Sequence, residues 1–314
     1  MSIAESTLSR PRPRPVYPSD SPTEPTKGSP AERIEQILAC SCGQQLKVHR
    51  QEEELRYTCQ ACGVDGGRAG SQYIFGGFES GEVKGDWLNR LKEFAKRKLG
   101  RFYRQAIDVI SPMYAPPLIQ PWLKTFDLKR DLVADLGCGP IVYTPDVLCV
   151  DGVNYPNVHL VADLARLPIR TGSLSGVISF GVLEHVPDPQ SHVAEFLRIL
   201  KPGGRVFCFI PFIQGFHASP YDYQRYTAPG MRELFRDFEV LDVRVASGPT
   251  SGMLWVLQEW LAMLFSFGSM RLYRLLMPVM WLLSPLKYLD ILLSRHPAAG
   301  VICSGFVIEA RKPK

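Results

Sequence analysis

No uncharged apolar run in this 314-residue chain reaches the ~18–20 residues that cross a bilayer. The opening stretch, MSIAESTLSRPRPRPVYPSDSPTEPTKGSP, has no apolar run after its start, so a secretory signal is not expected. Charge of one sign is also scarce. Lys and Arg number 36 against 31 Asp and Glu, a net charge of +5, which gives no support for a nucleic-acid partner. Nor are the eight cysteines spaced as a secreted disulfide framework. Four fall in one N-terminal segment, and Cys138, Cys149, Cys208 and Cys303 lie in apolar runs or a glycine turn. Buried free thiols in a reducing cytoplasm are expected.

What is present is enough apolar residue, 46%, for one sizeable α/β domain and a smaller one. The Pro-, Ser- and charge-rich residues 1–32 cannot bury a core and read as a disordered tail. Residues 33–80 hold Cys40-Ser41-Cys42 and Cys59-Gln60-Ala61-Cys62, each pair followed by glycine. Two such knuckles can close a four-thiolate zinc site, and Leu46–His49 and Leu55–Thr58 alternate as paired strands should. Two disulfides or free thiols are the alternatives, and the first knuckle is one residue shorter than usual. The segment resembles the zinc-ribbon domains found before bacterial methyltransferases, related to the activator subunit of some tRNA and protein methyltransferases. That resemblance implies a structural Zn2+. Residues 63–83 read as the end of the ribbon and a linker. Trp87 to Ile110 carries helical periodicity with a basic outer face, within a helical connector over 84–127.

At Val133–Pro140 an apolar strand runs into Asp-Leu-Gly-Cys-Gly. Glycines flanking one small residue let the backbone turn tightly and present N–H groups to a ligand. The dinucleotide signature G-x-G-x-x-G lacks its third glycine here, since Pro140-Ile141-Val142 follows. DLGCG resembles motif I of the class I S-adenosylmethionine (SAM) methyltransferases. EHVPDP (Glu184–Pro189) and LRILKPGG (Leu197–Gly204) resemble the "type 11" group of that family. The resemblance implies a Rossmann-like, doubly wound, seven-stranded α/β sheet over 128–249, completed by a last strand within 298–314. It assigns SAM contacts to Asp135, Gly137, Cys138, Gly139, Asp151, Gly152, Asp163, Leu164, Phe180 and Gly181. Asp135 would help hold the methionine amino group, Asp151 the ribose hydroxyls, and Asp163 and Leu164 the adenine. The short, proline-broken gap from Gly139 to Asp151 predicts a loop where the family has a helix.

After the fifth core strand comes a loop dense in polar groups, His217 to Tyr226. His217 and His185 are base candidates for methyl transfer. Asp222 could orient His217 or bind substrate, Arg225 hold an anionic group, and Tyr226 stack on a ring. The same residues also suit a polar loop pinned by an Asp–Arg pair, with Thr227 as a plain helix cap. Residues 250–297 form an apolar helical insertion before the last strand, read as a cap over the pocket, a membrane-interface element or a dimer surface. The expectation is a cap that touches membrane or a lipid-linked substrate through 253–293. The function expected is SAM-dependent methylation of a small-molecule or lipid/glycan-linked acceptor, in the cytoplasm or at a membrane surface. An RNA methyltransferase is the rival enzyme, disfavoured by the all-Cys ribbon and the lack of an Asn-Pro-Pro-Tyr motif. A non-catalytic SAM-binding adaptor is the rival from another class.

Overall fold

The computed structural model describes residues 30–51, 54–76, 109–114, 116–217 and 221–314. The expected tail through residue 29 and nearly all of the predicted connector helix lie outside them. A mixed sheet runs through the molecule in the order β1-β2-β3-β4-β7-β6-β5-β8-β9-β11-β10. Its core seven strands are β5 (Val133–Leu136), β6 (Leu148–Asp151), β7 (Leu160–Ala162), β8 (Leu174–Phe180), β9 (Leu200–Pro211), β10 (Glu239–Ser247) and β11 (Gly305–Arg311). Neighbours from β7 to β9 are parallel, whereas β11 is antiparallel to both β9 and β10. This is the Rossmann-like, doubly wound α/β sheet that the motif order implies. Its central strands are apolar on both faces because both faces are covered. Helix α3 (Pro189–Ile199) covers one face through Val193, Phe196 and Ile199. On the other face α2 (Ile119–Leu123) sets Ile119, Trp122 and Leu123 against Val133, Ile178 and Phe207.

Short polar side chains start some of the helices. Asp188 accepts the N–H groups of Gln190 and Ser191 at the head of α3, leaving fewer end donors unsatisfied. Thr227 caps α4 (Ala228–Leu234) by accepting the Gly230 N–H at 3.2 Å, the plain role expected for it. Between Gly139 and β6 there is no helix, as the proline-broken gap predicts.

The N-terminal module differs from its reading. Strands β1 (Lys47–Gln51) and β2 (Glu54–Thr58) pair as expected. The stretch expected to be ribbon end and linker instead forms a second hairpin, β3 (Asp65–Ala69) and β4 (Gln72–Phe75). β4 then pairs in parallel with β7, Tyr73 to Leu160 and Phe75 to Ala162. The glycines that suggested a linker serve close packing: a Cβ on Gly66 would sit 2.4 Å from the Phe75 ring. Tyr57, Tyr73 and Phe75 join the main core with Ile34 and Ile37 of α1 (Pro30–Ile37).

The apolar insertion is helical: α5 (Pro249–Ser266), α6 (Met270–Met280), a 3-10 segment (Trp281–Leu289) and α7 (Asp290–Leu293). Met270–Leu293 is long and apolar enough to cross a membrane by length and composition, although charges interrupt every run in the sequence. The run is tied to the body by its polar groups. Buried Asp290 accepts the N–H groups of Thr250 and Ser251 at 2.7 and 2.9 Å, and Lys287 Nζ donates to the Ser111 carbonyl at 2.7 Å. The last strand, Gly305–Arg311, falls within the expected 298–314 segment, after a 3-10 turn at Ala299–Val301.

Candidate active site and metal centres

The glycine turn sits at the carboxyl end of β5. The N–H groups of Gly137 and Cys138 both donate to the Val150 carbonyl, at 2.8 and 3.3 Å, which fastens the turn to β6. Asn157 Nδ2 donates to the Gly139 carbonyl at 2.9 Å. Gly137 and Gly139 have φ of 83° and 55°, a left-handed backbone that disfavours other residues. A Cβ on Gly137 would also meet Val182 at 2.4 Å, whereas one on Gly139 would meet nothing within 4 Å. The turn is thus packed on one side and open on the other.

Two acids flank the opening. Asp135 is 2% exposed, and its carboxylate accepts no hydrogen bond among the described residues. Burial pushes its pKa far up, and the charges of Cys149 and Asp151 add to this. A cation or ammonium group would relieve this unpaired acid. Asp151, at the end of β6, accepts the Gly139 N–H through Oδ2 and the Val153 N–H through Oδ1, both at 2.8 Å. Burial still raises its pKa, against the pull of those amides. Gly152 follows it, buried. Asp163 is exposed beyond β7 and accepts the Ala165 N–H at 2.9 Å, so it closes a turn, with Leu164 half-buried beside it. Phe180 stacks on Phe209 with centroids 4.5 Å apart, and Gly181 donates to the Phe209 carbonyl. The open glycine turn, the unpaired Asp135 and the strand-end Asp151 fit a ligand carrying an ammonium group and vicinal hydroxyls, as SAM does.

Over this end lie the loops after β8 and β9. Gln224 Nε2 donates to the carbonyls of Leu183 and Val186, both at 3.0 Å, and the Tyr223 N–H donates to that of Glu184, so the two loops are stitched together. Asp222 accepts the His217 N–H at 2.8 Å and is clamped by Arg225. That guanidinium holds the Asp222 pKa down at about 2. Arg225 also donates to the Gly215 carbonyl at 3.0 Å. Its donors are spent on the loop, which accounts for Arg225 and Asp222 as loop pins. Tyr226 packs against the core and its hydroxyl donates to Gln224; burial raises its pKa.

His217 and His185 do come together, with ring centroids 5.3 Å apart. The side chain between them, Glu184, carries no role in the sequence reading. It is 2% exposed, and its Oε1 lies 3.8 Å from His185 Nε2 and 3.9 Å from His217 Nε2. The carboxylate raises the His217 pKa, against the effect of burial. Trp255 of α5 stacks on His217 at 5.7 Å, so the insertion roofs this site. In the sequence Glu184 stands only as the first residue of EHVPDP. Its burial depends on a loop some thirty residues later, and no local pattern reports that.

The N-terminal cysteines meet as their spacing predicts. Sγ separations are 3.2 Å for Cys40–Cys62, 3.3 Å for Cys40–Cys42 and 3.6 Å for Cys42–Cys59. Tetrahedral zinc with bonds of about 2.3 Å needs sulfurs roughly 3.8 Å apart, so the four residues fit one ion after a small expansion. Backbone N–H groups, that of Cys62 foremost, lower the Cys59 pKa to about 6, favouring a thiolate ligand.

Residues 143–208 match a family model described as a methyltransferase domain. The match runs from just before β6 through most of β9. Among curated proteins, an uncharacterised chloroplastic methyltransferase of Arabidopsis thaliana is 34% identical over 109 residues, 30% of this chain and 29% of that protein. A ubiquinone biosynthesis O-methyltransferase of Xanthomonas oryzae pv. oryzae is 46% identical over 50 residues, 16% of this chain and 20% of that one. The chain thus spans less than a third of the length of these relatives. Among solved structures, the 1,6-didemethyltoxoflavin-N1-methyltransferase of Burkholderia thailandensis covers 85% of this chain at 16% identity, with a TM-score of 0.39.

Proposed function

We propose that this chain is a SAM-dependent methyltransferase with an N-terminal structural zinc module, acting on a small-molecule or lipid-linked acceptor. The observation that carries the reading is the carboxyl end of the parallel strands, where ligands bind in this fold. There an open glycine turn stands between the unpaired Asp135 and Asp151, in a chain whose residues 143–208 match a methyltransferase domain. SAM supplies an electrophilic methyl group on a sulfonium. Asp135 would meet its ammonium, Asp151 its ribose hydroxyls, and the Gly137–Gly139 backbone would lie along it. Asp163, Leu164, Phe180 and Gly181 would border the adenine and methionine ends, and His217 and His185 would face the acceptor. Cys40, Cys42, Cys59 and Cys62 would hold Zn2+ with no position left open, a structural and not a catalytic arrangement.

The acceptor class rests on the insertion. Trp255 stacks on His217, and the outer surface of the same helices is apolar, with Trp260, Leu264, Phe267, Leu275 and Leu282 exposed. The location that goes with this reading is the cytoplasm at a membrane surface. The test is transfer of tritiated methyl from SAM into separated lipid, small-molecule and RNA fractions. Label in the first two supports the reading. Label in RNA favours the tRNA or rRNA alternative, and SAM binding with no transfer to any fraction favours a non-catalytic adaptor.

A further inference from the structure

The Glu184, His185 and His217 donor atoms all lie within 4.8 Å of one another. The proton positions on the two imidazoles follow from their partners. His185 Nδ1 is 2.7 Å from the Tyr221 carbonyl, and His217 Nδ1 is 3.0 Å from the Gly215 carbonyl. A carbonyl only accepts, so each Nδ1 carries the proton. Arg225 Nη2 also stands 3.3 Å from His217 Nδ1. Its two protons go to Asp222 at 2.7 Å and the Gly215 carbonyl at 3.0 Å, so it leaves none for the ring. In their neutral form both histidines therefore turn a bare Nε2 lone pair toward Glu184. The second oxygen of that carboxylate, Oε2, is buried without a hydrogen-bond partner among the described residues. In that form two imidazole lone pairs and a buried carboxylate face one another, with no donor between them among the described residues. Such acceptors repel one another when left to themselves and are well matched to a cation.

We propose that Glu184, His185 and His217 bind a divalent transition-metal ion of the zinc or cobalt type, as a two-histidine, one-carboxylate centre. The backbone carbonyls on both Nδ1 atoms are the outer partners that fix metal-binding imidazoles. Metal bonds of about 2.0–2.2 Å put tetrahedral donors roughly 3.4 Å apart, so the Glu184 oxygen, 3.8 and 3.9 Å from the two Nε2 atoms, would close on each by about half an ångström. Three protein ligands leave positions open on the ion. The centre lies beside the proposed SAM site, so, resting on the methyl-transfer reading, the open positions fit an acceptor bound through oxygen. A hydroxyl held there would lose its proton more readily. The acceptor class this favours is a hydroxylated molecule.

The test uses the full chain with its four cysteines first saturated with zinc, titrated with Co2+ alone. A second metal per chain is expected, with weak visible bands and without the near-ultraviolet thiolate-to-cobalt band that metal at the cysteines would give. Glu184→Gln and His217→Ala should each weaken cobalt binding by roughly a hundredfold or more, beyond the 10–100-fold typical of losing an outer partner. His217 lies on a half-exposed loop, so its variant guards against a Glu184 variant that fails to fold. A single metal per chain, or unchanged cobalt bands in both variants, overturns the proposal. Calorimetry with SAM on the same samples separates the two readings. Cobalt bound without SAM binding keeps this centre and removes the methyltransferase, and SAM bound without a second metal does the reverse.

Discussion

Asp151 spends each carboxylate oxygen on one backbone N–H, from Gly139 and from Val153, yet every such oxygen has a further lone pair. Both can accept again from adjacent ribose hydroxyls while still holding the glycine turn. Asp151→Ala removes both contributions. Charged hydrogen bonds are worth about 1.5–3 kcal/mol each, so SAM affinity by calorimetry should fall at least ~10-fold, and equal affinity in both proteins would overturn the cofactor assignment. Gly139→Val tests the open side of the turn. Its Cβ meets no protein atom but enters the space given to the ligand, and its φ of 55° adds about 1–2 kcal/mol of backbone strain. The thermal midpoint should drop by a few degrees while SAM binding is lost altogether. A valine variant that binds SAM normally would mean the ligand lies elsewhere. Asp151 was legible in the sequence because a carboxylate after a buried strand announces its own place. Glu184 was not, because nothing near it in the chain tells that the Gly215–Asp222 loop will fold over it.

The N-terminal knuckles show the same divide at the level of elements. Cysteine spacing is local chemistry, and the sulfurs do converge. The second hairpin was misread because Gly66 and Gly67 mark a linker by composition, while the structure uses them for close approach to Phe75 and the Leu55 carbonyl. Pairing of β4 with β7 is a contact between segments far apart in sequence, which no periodicity encodes. Its consequence is mechanical coupling: the module covers the edge of the core sheet, and Tyr73 and Phe75 lie in the main core. Structural zinc contributes about 10–16 kcal/mol to folding of small metal domains, so on the proposed zinc reading loss of the ion should be felt beyond the module. Cys59→Ser, or a strong chelator, should speed amide exchange in β7 at Leu160–Ala162 and lower the thermal midpoint of the whole chain. Exchange confined to β1 and β2, with β7 fully protected, would show that the module is an independent appendage.

At the scale of the molecule, the helical insertion presents an apolar face that the other described residues leave exposed. Over residues 249–302 the only acids are Glu259, which accepts the Tyr273 hydroxyl, and Asp290, which is buried. The exposed charged residues there are Arg271, Arg274 and Arg295. An apolar surface rimmed by cations alone matches an anionic lipid surface, where the apolar groups sink to headgroup depth and the arginines meet phosphates. Lys287 and Asp290 are anchored to the body, so the 270–293 run would lie along the membrane and not cross it. Each cation near such a surface adds about 1 kcal/mol. Arg271→Ser with Arg274→Ser should therefore weaken co-sedimentation with phosphatidylglycerol-containing vesicles by roughly 30-fold, and added salt should weaken the unaltered protein in the same direction. Phe267→Ser, at a position 86% exposed, should reduce binding to the same vesicles without altering its salt dependence, because it removes only the apolar contribution. A protein that stays in the supernatant with anionic vesicles, or sediments equally with neutral ones and with both arginines replaced, would refute the membrane contact and leave self-association as the use of this face.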